Sequence, residues 1–547
     1  MPVISVMLDR LERLTGRPKE DVIEALPWIG VHIESIDKEY ARLEYDPNRP
    51  DFSTDYGIAR ALKGRFEKEL GIQRRNIDKS DWKIIVEQKV KPIRPFVIGL
   101  LAHDLLLDDE TIRQLISMQE DLHQGIGRKR KKLAIGLHDI ANIRPPVKYG
   151  TVGPDFKFTP LGYKHPMSID EILKITEVGR LYGPLLSKKD VFPILMDSHN
   201  TVLSFPPIVN GTATQVTYRT KDLLVDVTGT DMQAMEDALA IVAEALWDAG
   251  GKIFSITVKD GEREMKTPNL ATSTARISPE DVEKLIGLKL DSGTIVKSLR
   301  RARLDAKEDK EGIEVRIPRY RVDILHTVDV VEEVAYGYGF ENLTPDFGFK
   351  YSKGSELEVN KKVEAIKRVA VGLGLQEVLT YSLSSKQTLY DRVLRDPVNA
   401  IKVESPKSSL YEYLKDCLSP DLLRILSENI HEQYPQKIFE ISSVFSRDDY
   451  SEIGVKESLS LAVAISSDIA TFTEIRSLLD TILLRTLGIR AEYYEGHVPF
   501  LADGRSAKCK VGSKEIGYVG EIKPRVLLNF GLRMPVAVFE IDLSSLI

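Results

Sequence analysis

Cysteine is almost missing from this chain: Cys417 and Cys509 are the two in 547 residues. That count excludes a disulfide framework and a zinc site made of CxxC pairs, and both thiols read as small buried residues. No apolar run reaches the length needed to span a bilayer. The opening MPVISVMLDRLERL puts Asp9, Arg10, Glu12 and Arg13 where a secretory signal needs its apolar stretch. A reducing cytoplasm, with no membrane partner, is therefore the expected location. A global excess of positive charge is also lacking. The net charge is −6, so any nucleic acid must be held by local basic patches. Short-period repeats and low-complexity segments are absent. What remains is ordinary globular composition, 42% hydrophobic and 29% charged, in a chain long enough for several cores.

Hydrophobic periodicity divides the chain into four expected domains and an α+β, multidomain fold class. Residues 1–88 alternate short strands with helical stretches. DYGIARALKGRFEKELG spaces Ile58, Ala61, Leu62 and Phe66 as an amphipathic helix ending on glycine. Residues 89–271 form an α+β module. In it the strand IRPFVIGLLAHDLLL, the helical DDETIRQLISMQEDLHQ and the strand LAIGLHDI come first. Three apolar strands follow (VFPILMD, TVLSFP, DLLVDVTGT), then the helix MQAMEDALAIVAEALWDAG and the strand KIFSITV. GEREMKTPNLATST reads as a linker. Residues 272–347 form a small domain of helical or winged type. Its first helix starts at SPEDVEKLIG, with Ser278 as N-cap and Pro279 in the first turn. Residues 348–547 open with the helix SELEVNKKVEAIKRVAVGLG and continue as antiparallel hairpins, with helices expected on one face.

The small domain carries the most pointed chemistry. YRVDILHTVDVVEEVAYGYGFENL packs Asp323, Asp329, Glu332 and Glu333 into one short stretch. A helix starting near Thr327 projects Asp329, Glu332 and Glu333 from neighbouring positions, and Asp323 could fold back to them. Hard oxygen ligands at this density suit Mg²⁺ better than a transition metal, since only His326 is nearby. The plain alternative is a set of early-helix acids that complement the helix dipole and stay hydrated.

The frame around the acids resembles the signature of the small central domain in the β subunit of phenylalanyl-tRNA synthetase. Pro318, Arg321, Asp323, Ile324, Asp329, Glu332, Glu333 and Val334 match it, followed by Tyr338, Gly339, Phe340, Asn342, Leu343 and Pro345. DLHQGIGRKRKKLAIGLHDI, PILMDSHNTVLSFPPIVNG and DVTGTD resemble the archaeal and eukaryotic-cytosolic form of the family, so the likeness extends over essentially the whole chain. It implies a Mg²⁺ site on Asp323, Asp329, Glu332 and Glu333, shared with an α subunit in an (αβ)₂ heterotetramer that acts on the tRNA for phenylalanine. It also implies that residues 89–271 are an editing domain hydrolysing tyrosine wrongly attached to that tRNA. Editing is physically needed because an apolar pocket rejects one added hydroxyl by a factor of only about 10². The resemblance implies Ser204, Asp226 and Thr228 as the editing residues, with Leu195 and Asn210 against the substrate. Asp226 and Thr228, two apart on a strand, point to one side of the sheet.

The last domain resembles the class II synthetase core without its chemistry. KIFEISSVF has Phe439, Glu440 and Ile441 near the place of an ATP-phosphate arginine, and no arginine occurs until Arg447. The strand PVAVFEIDLSSLI lacks a glycine-rich, arginine-ending motif. No P-loop, HIGH or KMSKS signature occurs. Compared with longer bacterial relatives, no C-terminal anticodon-binding domain is expected. RKRKK (Arg128–Lys132) and SLRRAR (Ser298–Arg303) are candidate phosphate contacts or solvated faces. His123 and His138 have no acid at a diagnostic spacing and read as structural. The readings that stay open are a synthetase subunit, a stand-alone trans-editing hydrolase and a non-enzymatic assembly protein.

Overall fold

The computed structural model describes residues 2–186, 190–345 and 352–547. They fall into two compact units, Met1–Phe347 and Gly348–Ile547. Among the described residues no helix is long and apolar enough to cross a membrane.

The first unit begins with a three-stranded antiparallel sheet in which Tyr40–Tyr45 lies between Val3–Met7 and Val31–Ile36. Helices Leu8–Thr15 and Asp55–Arg65 bury Leu11, Ile58 and Leu62 against Val6 and Leu43 of that sheet. Each such fully buried side chain contributes roughly 1.5–3 kcal/mol.

A ten-stranded sheet follows. From one edge it runs Val209–Asn210, Val202–Phe205, Phe192–Met196, Val147–Val152 and Asp78–Val86. It continues with Lys252–Asp260, Phe96–His103, Leu223–Gly229 and, at the other edge, Leu133–Asp139. One face is covered by helices Asp109–Gln124 and Met232–Asp248, started by Asp108 and Asp231 accepting from the Thr111 and Ala234 amides. Leu115, Met118, Leu239 and Val242 pack there on Leu100, Leu137 and Val225. On the other face Val97, Leu101, Tyr149, Leu195 and Leu224 make a separate core.

The expected linker at 261–274 is instead structured. Arg263–Thr267 is a strand paired with Ile256–Asp260, and Ser273–Ile277 begins the next sheet. Thr267 explains the difference: its buried hydroxyl donates to the Gly99 carbonyl (2.6 Å) and accepts from the Gly99 amide (3.1 Å). The polar sequence suggested a tether, but its hydrogen bonds are made with a core strand.

The small domain has a sheet with Gly312–Ile317 between Ser273–Ile277 and Asp305–Asp309, and three helices, Pro279–Ile286, Ser292–Arg301 and Thr327–Tyr338. Ser278 and Asp281 form a capping box at its first helix.

The second unit centres on a seven-stranded sheet. Its long antiparallel pair is Gln436–Arg447 with Val455–Ser466, flanked by Val536–Asp542. Helices cover both faces rather than the one expected. Helices Glu358–Gly372 and Phe472–Leu487 pack on Phe439, Val463 and Phe539. Helices Ser419–Glu428 and Pro524–Phe530 pack on Ile438, Ala464 and Val538. Neighbouring positions on each strand are apolar, so both faces must be buried.

Candidate functional site

The two edges of the ten-stranded sheet come together, and a cavity of about 490 Å³ lies in the seam. It is lined from one edge by Ser204 and Asn210 and from the other by Ile135 to Leu137. The seam is not closed by a strand ladder. Side chains tie it: Arg130 donates to the carbonyls of Pro207 (3.2 Å) and Ile208 (2.9 Å), and His138 Nδ1 meets Thr214 Oγ1 at 2.8 Å. Backbone groups of the edge strand are met in the same way. Gln119 donates to the Ile135 carbonyl at 2.8 Å, and the Ile135 amide donates to His123 Nε2 at 2.8 Å. A buried edge would otherwise leave those groups unpaired.

Asp226 and Thr228 reach the cavity from Leu223–Gly229. Asp226 faces Gly99 on one neighbouring strand and Gly136 on the other. A Cβ at Gly136 would run into Asp226 and His138, so glycine makes room for the carboxyl group. His138 Nε2 lies 2.7 Å from Asp226 Oδ1, giving a buried chain Thr214–His138–Asp226. Thr228 is fixed by Arg94, whose Nε donates to its Oγ1 (3.1 Å) and whose Nη2 donates to its carbonyl (2.7 Å). Burial, opposed by Tyr149 and Asp226, pushes the Arg94 guanidinium down to about 10.

Ser204 is 4% exposed, and its hydroxyl has no hydrogen-bond partner among the described residues. An unsatisfied buried hydroxyl costs about 1–3 kcal/mol, a cost that a bound ligand or water would relieve. Asn210 Nδ2 makes one long bond, 3.5 Å, to the Leu137 carbonyl. Leu195 departs from the expected arrangement. It pairs with Ser204 across the ladder, but its wholly buried side chain packs among Tyr149, Leu203 and Leu224 and does not line the cavity.

The cavity's second polar corner comes from the helix Asp109–Gln124. Glu120 accepts from Arg130 (2.7 Å) and lies 3.2 Å from His123 Nδ1. Because His123 Nε2 accepts from Ile135, its proton sits on Nδ1 and points to Glu120. Burial pushes the His123 imidazolium below its usual value, with Glu120 opposing and Arg130 reinforcing. Burial alone would raise Glu120, but His123 and Arg130 hold it below the usual carboxylate range. Arg130 ends a run of three left-handed residues, Arg128, Lys129 and Arg130, at φ 49°, 55° and 63°. For residues with a Cβ that conformation costs roughly 1–2 kcal/mol each.

Sequence reasoning missed Arg94, Gln119, Glu120 and Thr214. It read Arg130 as a phosphate contact or solvated face, whereas its guanidinium is turned inward onto Glu120 and the Pro207 and Ile208 carbonyls. Glu120, three positions before His123 on a helix, was a legible signal. The His138–Asp226 pair, 88 residues apart, was not.

The acidic cluster is brought together only in part. Arg321 clamps two of the four carboxylates: Asp323 (2.9 and 2.7 Å) and Glu333 (3.1 and 2.5 Å). Asp329 Oδ2 accepts from the amides of Leu325 (2.8 Å) and His326 (2.7 Å) and so caps its own helix. Glu332 is exposed. Its carboxyl is raised above its usual value by desolvation and then by Glu333, Asp329 and Asp323. Among the described residues no group of three or more His, Cys, Asp or Glu is placed to hold a metal ion. This chain alone therefore presents an acidic, half-neutralised corner rather than a formed ion site. The other basic run is only partly internal: Arg303 is buried against Glu69, the half-buried Arg301 donates to the Arg65 carbonyl, and Arg300 is exposed.

Comparisons with known proteins agree over the whole length. Residues 275–340 match the tRNA synthetase B5 domain, and residues 349–543 match the phenylalanyl tRNA synthetase beta chain CLM domain. The phenylalanine–tRNA ligase beta subunit of Archaeoglobus fulgidus is 38% identical over 100% of this chain and 98% of its own length. That of Methanococcoides burtonii is 37% identical over 100% of both. An N-terminal fragment of the phenylalanyl-tRNA synthetase beta subunit from Pyrococcus horikoshii superimposes with a TM-score of 0.60 at 34% identity. It covers 62% of this chain and 99% of the fragment. With its full length matched at this identity, the chain belongs to the family of archaeal phenylalanine–tRNA ligase β subunits.

Proposed function

We propose that the seam cavity hydrolyses the ester joining tyrosine to a tRNA for phenylalanine, while phenylalanine is activated with ATP and attached on a partner α subunit. The observation that carries this reading is the convergence of Ser204, Asp226 and Thr228 on one cavity of about 490 Å³, inside the size range of small-molecule sites. In the reaction a water oxygen adds to the ester carbonyl carbon, the bond from that carbon to the ribose oxygen breaks, and the ribose oxygen gains a proton. Asp226, oriented by His138, is suited to hold the water. Thr228, fixed by Arg94, and Ser204, with its hydroxyl unspent, are suited to meet the tyrosine hydroxyl or the ester oxygens. No side chain needs to act as nucleophile.

The second unit is read as a class II-like core without activation chemistry, serving (αβ)₂ assembly. Glu440, near the place of an ATP-binding arginine, is fully buried in an ion pair with Lys415 at 2.8 Å. The family matches over 275–340 and 349–543 favour a subunit over a free-standing hydrolase, which needs neither region. Mg²⁺ at the acidic corner would be held by Glu332 and Asp329, with further oxygens from the α subunit. When bound it would supply charge neutralisation at an interface.

Co-expression with an α subunit, followed by assays of Phe-tRNA formation and Tyr-tRNA hydrolysis, tests the division of labour. Asp226→Ala is expected to abolish hydrolysis and spare Phe-tRNA formation; full hydrolysis by this variant would overturn the assignment.

A further inference from the structure

We infer that the left-handed basic turn Arg128–Lys131 is a phosphate clamp, gripping the acceptor strand of a tRNA whose 3′ end enters the seam cavity. The inference rests on the hydrolytic reading of that cavity and adds to it the surface that holds the rest of the substrate.

The turn is anchored from behind. The Arg130 amide donates to the His123 carbonyl (3.1 Å), the Lys132 amide to Gly127 (2.9 Å), and the Thr230 amide to Lys132 (2.9 Å). The Arg130 guanidinium is spent inside, on Glu120 and the Pro207 and Ile208 carbonyls, and it lies 4.3 Å from the centre of the Tyr182 ring. Arg130 is thus a wall of the cavity and ties the turn to it.

What the turn presents outward is different. Arg128, Lys129 and Lys131 are exposed, and none has a carboxylate partner among the described residues, whereas Lys132 is paired with Asp231 at 2.8 Å. Three uncompensated cations within four residues stand out in a chain of net charge −6. Backbone geometry sharpens the point. Glycine adopts a left-handed conformation without steric cost, so a turn required only for its shape would be best served by glycine. Here three long basic side chains occupy it instead. The same cavity has an exposed aromatic side chain, Tyr163, at 39% exposure, a surface on which a terminal base can stack. Fixed cations beside a cavity with an aromatic rim are what a single-stranded, phosphate-bearing 3′ end requires.

The test uses the assembled α and β chains carrying Arg128→Ala, Lys129→Ala and Lys131→Ala together. Three readouts are compared with the unaltered complex: Tyr-tRNA hydrolysis, hydrolysis of tyrosyl-adenosine (the same ester without phosphates), and the salt dependence of tRNA binding. Each phosphate contact contributes about 0.7–0.9 to the slope of log affinity against log salt. The triple variant is expected to lose about 2 units of slope and to raise KM for Tyr-tRNA about tenfold at low salt. Its kcat and its tyrosyl-adenosine hydrolysis should stay unchanged. An unaltered slope and KM would overturn the clamp and leave the run as a solvated face. If the unaltered complex hydrolyses neither ester, the hydrolytic reading fails separately, and the binding slope still decides the clamp.

Discussion

The seam of the ten-stranded sheet and the buried carboxylates Glu440 and Glu540 of the seven-stranded sheet use their polar groups in opposite ways. In the ten-stranded sheet the edges meet without pairing. The seam leaves Ser204 with an unspent hydroxyl and Asp226 and Thr228 open to a cavity. Around Glu440 and Glu540 of the seven-stranded sheet the polar groups are consumed internally. Lys415 donates to Glu440 and Thr380, and Glu540 accepts from the Leu418 and Ser419 amides and from the hydroxyls of Ser419, Ser460 and Tyr518. A polar group held by orienting neighbours but left a free valence is equipped to meet a substrate. One with all its bonds made inside the fold only specifies that fold.

The contrast can be broken from either side. Removing one partner of the fully buried pair, by Lys415→Met, should destabilise the second unit by about 3–5 kcal/mol. Lys415→Met with Glu440→Leu should recover most of that loss, because no unpaired charge remains. Calorimetry of the assembled protein reads both. A single variant as mild as the double one would show that the pair is not structural.

On the other side, Asp226→Ala should lower Tyr-tRNA hydrolysis by about 10²-fold or more without a comparable change in melting temperature. A large fall in melting temperature would move Asp226 into the same structural class as Glu440.

His138→Gln sharpens the comparison further. It keeps a hydrogen-bonding side chain but cannot reproduce both contacts, so kcat for hydrolysis should fall about tenfold or more while KM holds. Equal loss in His138→Gln and His138→Ala, with KM rising, would make His138 a packing residue.

The smallest expected effect is in acid. His123 has a folded-state pKa below its ordinary 6.5. Between the two values the unfolded chain binds more protons, so stability rises with pH through that window and is lost as pH falls through it. Denaturation of the first unit at several pH values should show this slope, and His123→Gln should flatten it. An unchanged slope in that variant would assign the acid sensitivity to another group.

Much of the fold was legible in local pattern. The helix beginning at Thr327, the capped start at Ser278 and the strands around Ser204 and Asp226 are where periodicity and capping chemistry put them. The misreadings share one cause. Residues 263–267 are polar in sequence, yet they form a hairpin with Ile256–Asp260 whose Thr267 is anchored on Gly99 of a distant strand, and Ala462 and Ala464 accept a second helix layer because they are small. Partners far apart in sequence decide such cases.

The sequence by itself determined the family, the α+β character and the presence of Ser204, Asp226 and Thr228, because these depend on residue identity and short-range spacing. Only the tertiary structure decided that the ten-stranded sheet curls until its edges meet and that Arg94 and His138 orient the site. It also decided that Leu195 is buried in a separate core and not on the cavity, and that Arg321 takes up two of the four acids. Those outcomes depend on which unpaired backbone and charged groups find each other when the sheet closes on itself, and that is settled by long-range geometry, not by local spacing.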